Sequence, residues 1–198
     1  MEFLKNISPD EIIGEWLRSE YRTRSDIREQ VDKALKEMQI DDSLLFLSDY
    51  HDMAHNKARR DIMYRTSRHE VASEAHSFTW GLFVLEWKDV VRLRTLTGPC
   101  WYKITKGEYS IQSMVELLQT DEGREYLRSS GCPQNFEDEE EIERSIMSEG
   151  IRGKPTIIVQ GETMRLVDGY HRLVALFRLR SRGIIIQMPQ FYIGKSRS

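Results

Sequence analysis

Two cysteines in 198 residues, Cys100 and Cys132, are too few to build a disulfide scaffold. Neither belongs to a Cys-x-x-Cys spacing and neither has a histidine pair nearby, so both are expected to be buried or incidental thiols in a reducing compartment. No stretch approaches the roughly 18 uninterrupted apolar residues that a membrane helix needs. The opening Met-Glu-Phe-Leu-Lys-Asn lacks the basic and then apolar order of a signal peptide. A cytoplasmic location without a membrane partner is therefore expected. Neither sign of charge prevails: the net charge is −3, which argues against a chain that binds polyanions over its whole surface.

What is present suits a globular protein, with 39% hydrophobic and 31% charged residues. The charge is unevenly spread. Residues 121–150 carry ten acids against three arginines, and residues 151–198 carry nine Lys or Arg against Glu162 and Asp168. Such asymmetry marks either an anion-binding face or two solvated surfaces.

The chain reads as helices over 1–76. Ser8-Pro9-Asp10-Glu11 has the order of an N-cap, a first-position proline and first-turn acids, and Ile12, Ile13, Trp16, Leu17 and Tyr21 follow at helical spacing. A second helix is expected after Ser25, with Ile27, Val31, Ala34, Leu35 and Met38 on one face. Asp41-Asp42-Ser43 reads as a break. Leu44 to Ala75, free of glycine and proline, reads as helix again. Strand character follows at Phe78–Leu96, where Phe83, Leu85 and Trp87 alternate and Val90, Val91 and Leu93 continue, until Thr97-Gly98-Pro99. Trp101–Ile104 suggests a short strand, Ser110–Thr120 a helix and Ser129–Pro133 a loop. Glu137–Glu149 reads as a helix stopped by Gly150. Two strands come next, Pro155–Val159 and Met164–Val167 around Gly161. Tyr170–Arg180 is a predicted helix broken by Gly183, and Ile184–Ile193 contains a last strand.

The most informative stretch is Leu166-Val-Asp-Gly-Tyr-His-Arg-Leu-Val-Ala-Leu176. An acid, an imidazole and a guanidinium fall where a strand gives way to a helix. A helix N-terminus attracts phosphate through its unpaired amides and its dipole. Asp168-Gly169 also reads as an ordinary capping turn. Other clusters carry blander readings. The acidic run Phe136–Glu143 suits a solvated helix start. His51 and His55 stand at metal-sharing spacing without an HExxH glutamate. Lys57–Arg68 is basic but interspersed with acids, and Trp80, Trp87 and Trp101 suit a core.

Helix, glycine, proline-initiated strand, turn, strand, Asp-Gly-x-His-Arg, helix and strand together resemble the ParB/sulfiredoxin family. The likeness runs from Glu-Ile-Glu-Arg-Ser-Ile-Met-Ser-Glu-Gly-Ile-Arg-Gly-Lys-Pro-Thr-Ile-Ile-Val through the Asp168–Arg172 segment. It covers 137–193 best, with Phe83–Leu93 as the family's first strand. The resemblance implies an α/β (α+β) architecture: a ParB/sulfiredoxin-like domain with a small mixed sheet over 77–198, preceded by a helical region over 1–76. Sulfiredoxins carry a catalytic cysteine where this chain has Tyr170, and chromosome-partitioning proteins carry Gly-Glu-Arg-Arg where it has Gly169-Tyr170-His171-Arg172. The Asp168/His171 spacing is closest to the free serine kinase branch. That likeness implies a nucleotide-dependent phosphotransferase or nucleotide hydrolase acting on a small hydroxyl-bearing substrate, with ATP or another nucleotide and Mg²⁺. It implies Gly169, Tyr170, His171 and Arg172 at the phosphates and Asp168 at the metal. Asp168, His171 and an upstream acid, Glu137 or Glu141, would be catalytic. The alternatives are a nucleic-acid-acting protein, such as a nuclease or DNA-binding regulator, and a non-catalytic nucleotide-binding module.

Overall fold

The computed structural model describes residues 1–95, 105, 107, 109–129 and 139–196. Among them the chain is mixed α/β, with nine α-helices, one 3₁₀ turn and a six-stranded mixed sheet. It divides into two compact units, one formed by Met1–Lys5 with Gly81–Gly194 and the other by Asn6–Trp80 with Lys195–Ser198. The division differs from a simple cut after residue 76, because the first five residues belong with the sheet.

In the helical unit, α1 (Pro9–Thr23) starts as its sequence dictates. Ser8 Oγ accepts from the Glu11 amide, proline opens the first turn, and Ile12, Ile13 and Leu17 are buried. Helix α2 (Ser25–Met38) buries Ile27, Val31, Ala34 and Leu35 and ends at Gln39, whose φ is 55°. The continuous helix expected from Leu44 to Ala75 is instead a 3₁₀ turn (Asp42–Leu45), an irregular segment, α3 (Met53–Tyr64) and α4 (His69–His76).

The reason for the interruption lies far away in sequence. Arg59, 1% exposed, donates to the carbonyls of Leu44, Leu47 and Asp49 and to Asn56 Oδ1. Arg18 donates to the Leu45 and Leu47 carbonyls. Two guanidiniums thus satisfy backbone acceptors that a helix would have paired internally. Tyr50 closes the wrap: its ring lies 4.9 Å from Arg59 Cζ and its hydroxyl donates to Glu15 Oε1 at 2.8 Å. Gly14 lets the ring in, since a Cβ there would stand 2.5 Å from Tyr50 Cε1.

The other unit holds most residues of the strands, which are β1 (Glu2–Ile7), β2 (Phe78–Val84), β3 (Arg94–Thr95), β4 (Thr156–Gln160), β5 (Thr163–Asp168) and β6 (Gln190–Ser196), in the order β1-β2-β6-β4-β5-β3. Strand β4 runs antiparallel and β3 parallel to β5. β1 falls where helix was expected. It is an edge strand with five of its six residues exposed, so it carries no alternation to read. The strand expected to run on through Val91 turns instead into a short helix, α5 (Trp87–Val90), where the Glu86 amide donates to Asp89 Oδ2. The last strand, expected within Ile184–Ile193, begins at Gln190. The loops and short strand expected over 97–104 and 130–133 lie outside the described residues, as do Cys100 and Cys132.

Helices α6 (Ile111–Gln119), α7 (Asp121–Ser129), α8 (Glu139–Glu149) and α9 (Tyr170–Ser181) complete this unit. Ile157 and Leu166 face each other across β4 and β5, both 0% exposed, and join Met114 and Leu118 of α6 with Leu173, Val174 and Phe177 of α9. Each such side chain contributes about 1.5–3 kcal/mol through burial. Helix α8 packs Ile146 against Ala175 and Leu179 of α9. Beside that contact the buried Glu143 carboxylate lies 3.0 Å from Arg178 Nε and pairs with Arg182. The start of α8 therefore lies at the end of α9, and the two helices run antiparallel.

Burial, followed by the charge of Glu15, pushes the Tyr50 hydroxyl above its ordinary pKa of 10.0. The fold holds this proton when the unfolded chain begins to release it, so the contribution is complete below pH 10.0 and fades as pH rises beyond it. Tyr50→Phe is expected to make urea-unfolding stability less sensitive to pH above that point. An equally steep alkaline decline in the variant would count against this assignment.

Candidate functional site

The site is built at the junction of β5 and α9. Ile157 pairs with Leu166, but the next partner of β4, Thr156, pairs with Asp168, so Val167 is bulged out of the ladder. A bulge bends the strand and re-aims the residue that follows. Gly169 then makes the turn at φ 95°, and a Cβ there would stand 2.9 Å from Pro155 Cβ. Conformation and space both demand glycine.

Gly169 is the N-cap of α9 and, being glycine, contributes no side-chain cap to the helix. Two contacts hold the junction in place: the Leu173 amide donates to the Gly169 carbonyl at 3.0 Å, and Tyr170 Oη donates to the Leu166 carbonyl at 2.7 Å.

Arg172 is latched. Its Nη2 donates to Asp168 Oδ2 at 2.8 Å and its Nη1 to the Arg152 carbonyl at 2.7 Å. The second bond ties the α8–β4 loop to the start of α9. Gly153 makes room for it, because a Cβ there would lie 2.5 Å from Arg172 Nη1, and its φ is 72°. In the same loop Arg152 pairs with Glu149 at 2.6 Å, and Lys154 Nζ lies 5.2 Å from the centre of the Tyr192 ring.

The structure therefore brings Asp168, Gly169, Tyr170, His171 and Arg172 to one junction, with His171 half-buried in the first turn of α9. It does not bring Glu141 there. Glu141 is exposed at the beginning of α8, the end that Glu143 fastens to Arg178 and Arg182. At 1.5 Å per residue, Arg178 stands roughly 10 Å along α9 from His171. Glu137 lies outside the described residues. Arg152, Gly153 and Glu143 have structural roles that the motif did not announce. The glycines of the loop marked a turn, but which carbonyl it would offer is set by tertiary packing.

Among the described residues, no group of three or more His, Cys, Asp or Glu side chains could hold a metal ion by itself. Asp168 is a single carboxylate with one oxygen engaged by Arg172. That suits Mg²⁺ carried by phosphate groups, which needs only one or two protein carboxylates, and does not suit an all-protein metal cage. Of the two histidines, His51 precedes α3, while His55 on α3 has Nδ1 3.2 Å from Asp52. Every cation of Lys57–Arg68 meets an acceptor in the chain. Lys57 pairs with Asp61, Arg60 with Asp10, Arg65 with Glu37 and Arg68 with Glu20, and Arg59 is buried against carbonyls. Trp80 is core, its Nε1 donating to the Ala75 carbonyl, and Trp87 packs on Phe177 at 4.5 Å. Trp101 lies outside the described residues.

Gly153→Ala is expected to dislodge the Arg172 guanidinium and to cost about 1–3 kcal/mol in chemical denaturation. An unchanged midpoint would show that the latch tolerates a methyl group. Compared with family models, curated proteins and solved structures, the chain matches none.

Proposed function

We propose that this chain is a ParB/sulfiredoxin-like nucleotide-binding protein that transfers a phosphoryl group to a small hydroxyl-bearing acceptor, or to water. The observation that supports this reading is the junction itself: an α9 N-terminus whose N-cap is Gly169, set between Asp168 and a guanidinium held by Asp168 and the Arg152 carbonyl. Phosphate oxygens would accept hydrogen bonds from the first turn of α9 and from His171. Arg172, already oriented, would offer its remaining donors to the same group. Magnesium bound with the nucleotide would neutralise phosphate charge, with Asp168 as its protein ligand.

Phosphoryl transfer depends mainly on positioned charge around the transferring group. Asp168, His171 and Arg172 supply that charge from one element boundary. Glu141 has no part in this proposal, because it belongs to the far end of α9.

A panel of ATP, CTP and GTP with Mg²⁺, read by thermal shift and by phosphate release, tests the reading. A nucleotide that binds the native state raises the melting temperature. His171→Ala is expected to lower phosphate release by about 100-fold or more without unfolding the chain, by analogy with the loss of one charge-stabilising donor. Arg172→Gln is expected to weaken nucleotide binding as well. Unchanged turnover and binding in both variants would remove the proposal.

A further inference from the structure

The sheet ends in two strands of different kind. At one edge β3 spans two residues, Arg94–Thr95, too short to invite another strand. At the other edge β1 spans six, Glu2–Ile7, and five of them are exposed. The outer row of amides and carbonyls on such a strand is a template for one more. Two neighbouring side chains of β1 are apolar and open to solvent, Phe3 at 53% and Leu4 at 38%. Phe3 is steadied by its own sheet. Its ring meets Phe83 edge-on at 5.3 Å, over Gly81, where a Cβ would stand 3.1 Å from Phe3 Cε2. The strand carries one acid, Glu2, and one base, Lys5.

Symmetry and charge together select what fits this edge. A second copy that extends the sheet antiparallel is related by a two-fold axis perpendicular to it, which keeps each face on its own side. Side chains alternate along a strand, so even-numbered residues then face even-numbered ones and odd face odd. An axis through Lys5 would set two ammonium groups directly opposite each other, which destabilises a sheet. An axis through Phe3 or Asn6 matches only three residues of the strand. An axis through Leu4 matches five, Glu2 to Asn6, and opposes no like charges. Leu4 then faces Leu4, Glu2 faces Asn6, and each Phe3 ring receives Lys5 of the other copy as a cation on its face.

We propose that β1 pairs with β1 of a second copy of this chain, antiparallel and centred on Leu4, so that two sheets join across a two-fold axis. An interface of two short strands is small, which makes the pair reversible and concentration-dependent. The inference concerns the sheet edge and does not rest on the nucleotide reading of the α9 junction.

The test uses the full chain, with the chain itself as probe. Sedimentation velocity at rising concentration is expected to show monomer passing reversibly into dimer. Leu4→Lys sets like charges across the axis and is expected to weaken the dimer roughly tenfold or more. The melting temperature of the dilute monomer should stay unchanged, because Leu4 is exposed there. Register is read by cross-linking in a Cys100→Ser/Cys132→Ser background. Leu4→Cys is expected to give a disulfide-linked dimer under mild oxidation, because facing residues bring their Cβ atoms to about 4.5–5.5 Å. Lys5→Cys is not. A chain that stays monomeric up to about 1 mM overturns the inference and leaves the edge to a strand of another protein. It is equally overturned if Leu4→Lys dimerises as well as the wild type, or if Lys5→Cys cross-links as readily as Leu4→Cys. Either result would move the contact to another register or another surface.

Discussion

A single left-handed residue, Gly169, governs how β5 hands the chain to α9. An L side chain in that conformation would cost about 1–2 kcal/mol from sterics alone, and here its Cβ would also collide with Pro155. With glycine in place, Pro155 at the start of β4 packs directly beneath the turn. Asp168 emerges from the bulge one residue earlier, and the first turn of α9 opens beside it. The Arg172 latch follows from this geometry. A guanidinium one turn into the helix can reach back to Asp168 and across to the Arg152 carbonyl only because Gly169 and Gly153 leave the space. Strand, loop and helix are thereby fixed to one another at the point where charge is concentrated.

The two ends of α9 do different work. At its C-terminal end Arg178 and Arg182 suit the negative end of the dipole and enclose the buried Glu143 carboxylate, which anchors α8. Removing one member of such a cluster leaves a charge without its partner, so the group fixes the placement of α8 more than it adds net stability. At its N-terminal end Arg172 is held by Asp168 and the Arg152 carbonyl. This arrangement is why the acids at the start of α8 are remote from the β5–α9 junction. In the proposed reading the phosphate contacts come from residues within five positions of one another, Asp168 to Arg172.

Local signals were legible in the sequence and long-range ones were not. The Ser8 cap, the α6 stripe of Ile111, Met114, Val115 and Leu118, the β4–β5 pair and the Asp168–Arg172 junction each depend on neighbours a few residues apart, and each could be read. The gathering of the phosphate candidates at one helix start was legible for the same reason. The interruption between the 3₁₀ turn and α3 was not, because Arg59 and Arg18 reach back to its carbonyls from elsewhere in the helical unit. The strand at Glu2–Ile7 escaped notice because an exposed edge has no buried face to impose alternation. Asp89 turned an apparent strand into α5 through one capping contact. Nor could spacing show that Arg94 would lie beside Arg165, or that Arg172 would be held by a carbonyl 20 residues away in sequence.

The central claim is that phosphate oxygens dock on the first turn of α9, between Asp168 and Arg172. Backbone amide NMR of the full chain during titration with Mg²⁺-nucleotide tests it most directly, because those amides are the proposed donors. The account predicts that the Gly169, Tyr170, His171 and Arg172 amide resonances move furthest and saturate together with the Asp168 carboxylate signal. Nucleotide that binds while those four amides stay in place, or no nucleotide that moves them, would contradict it.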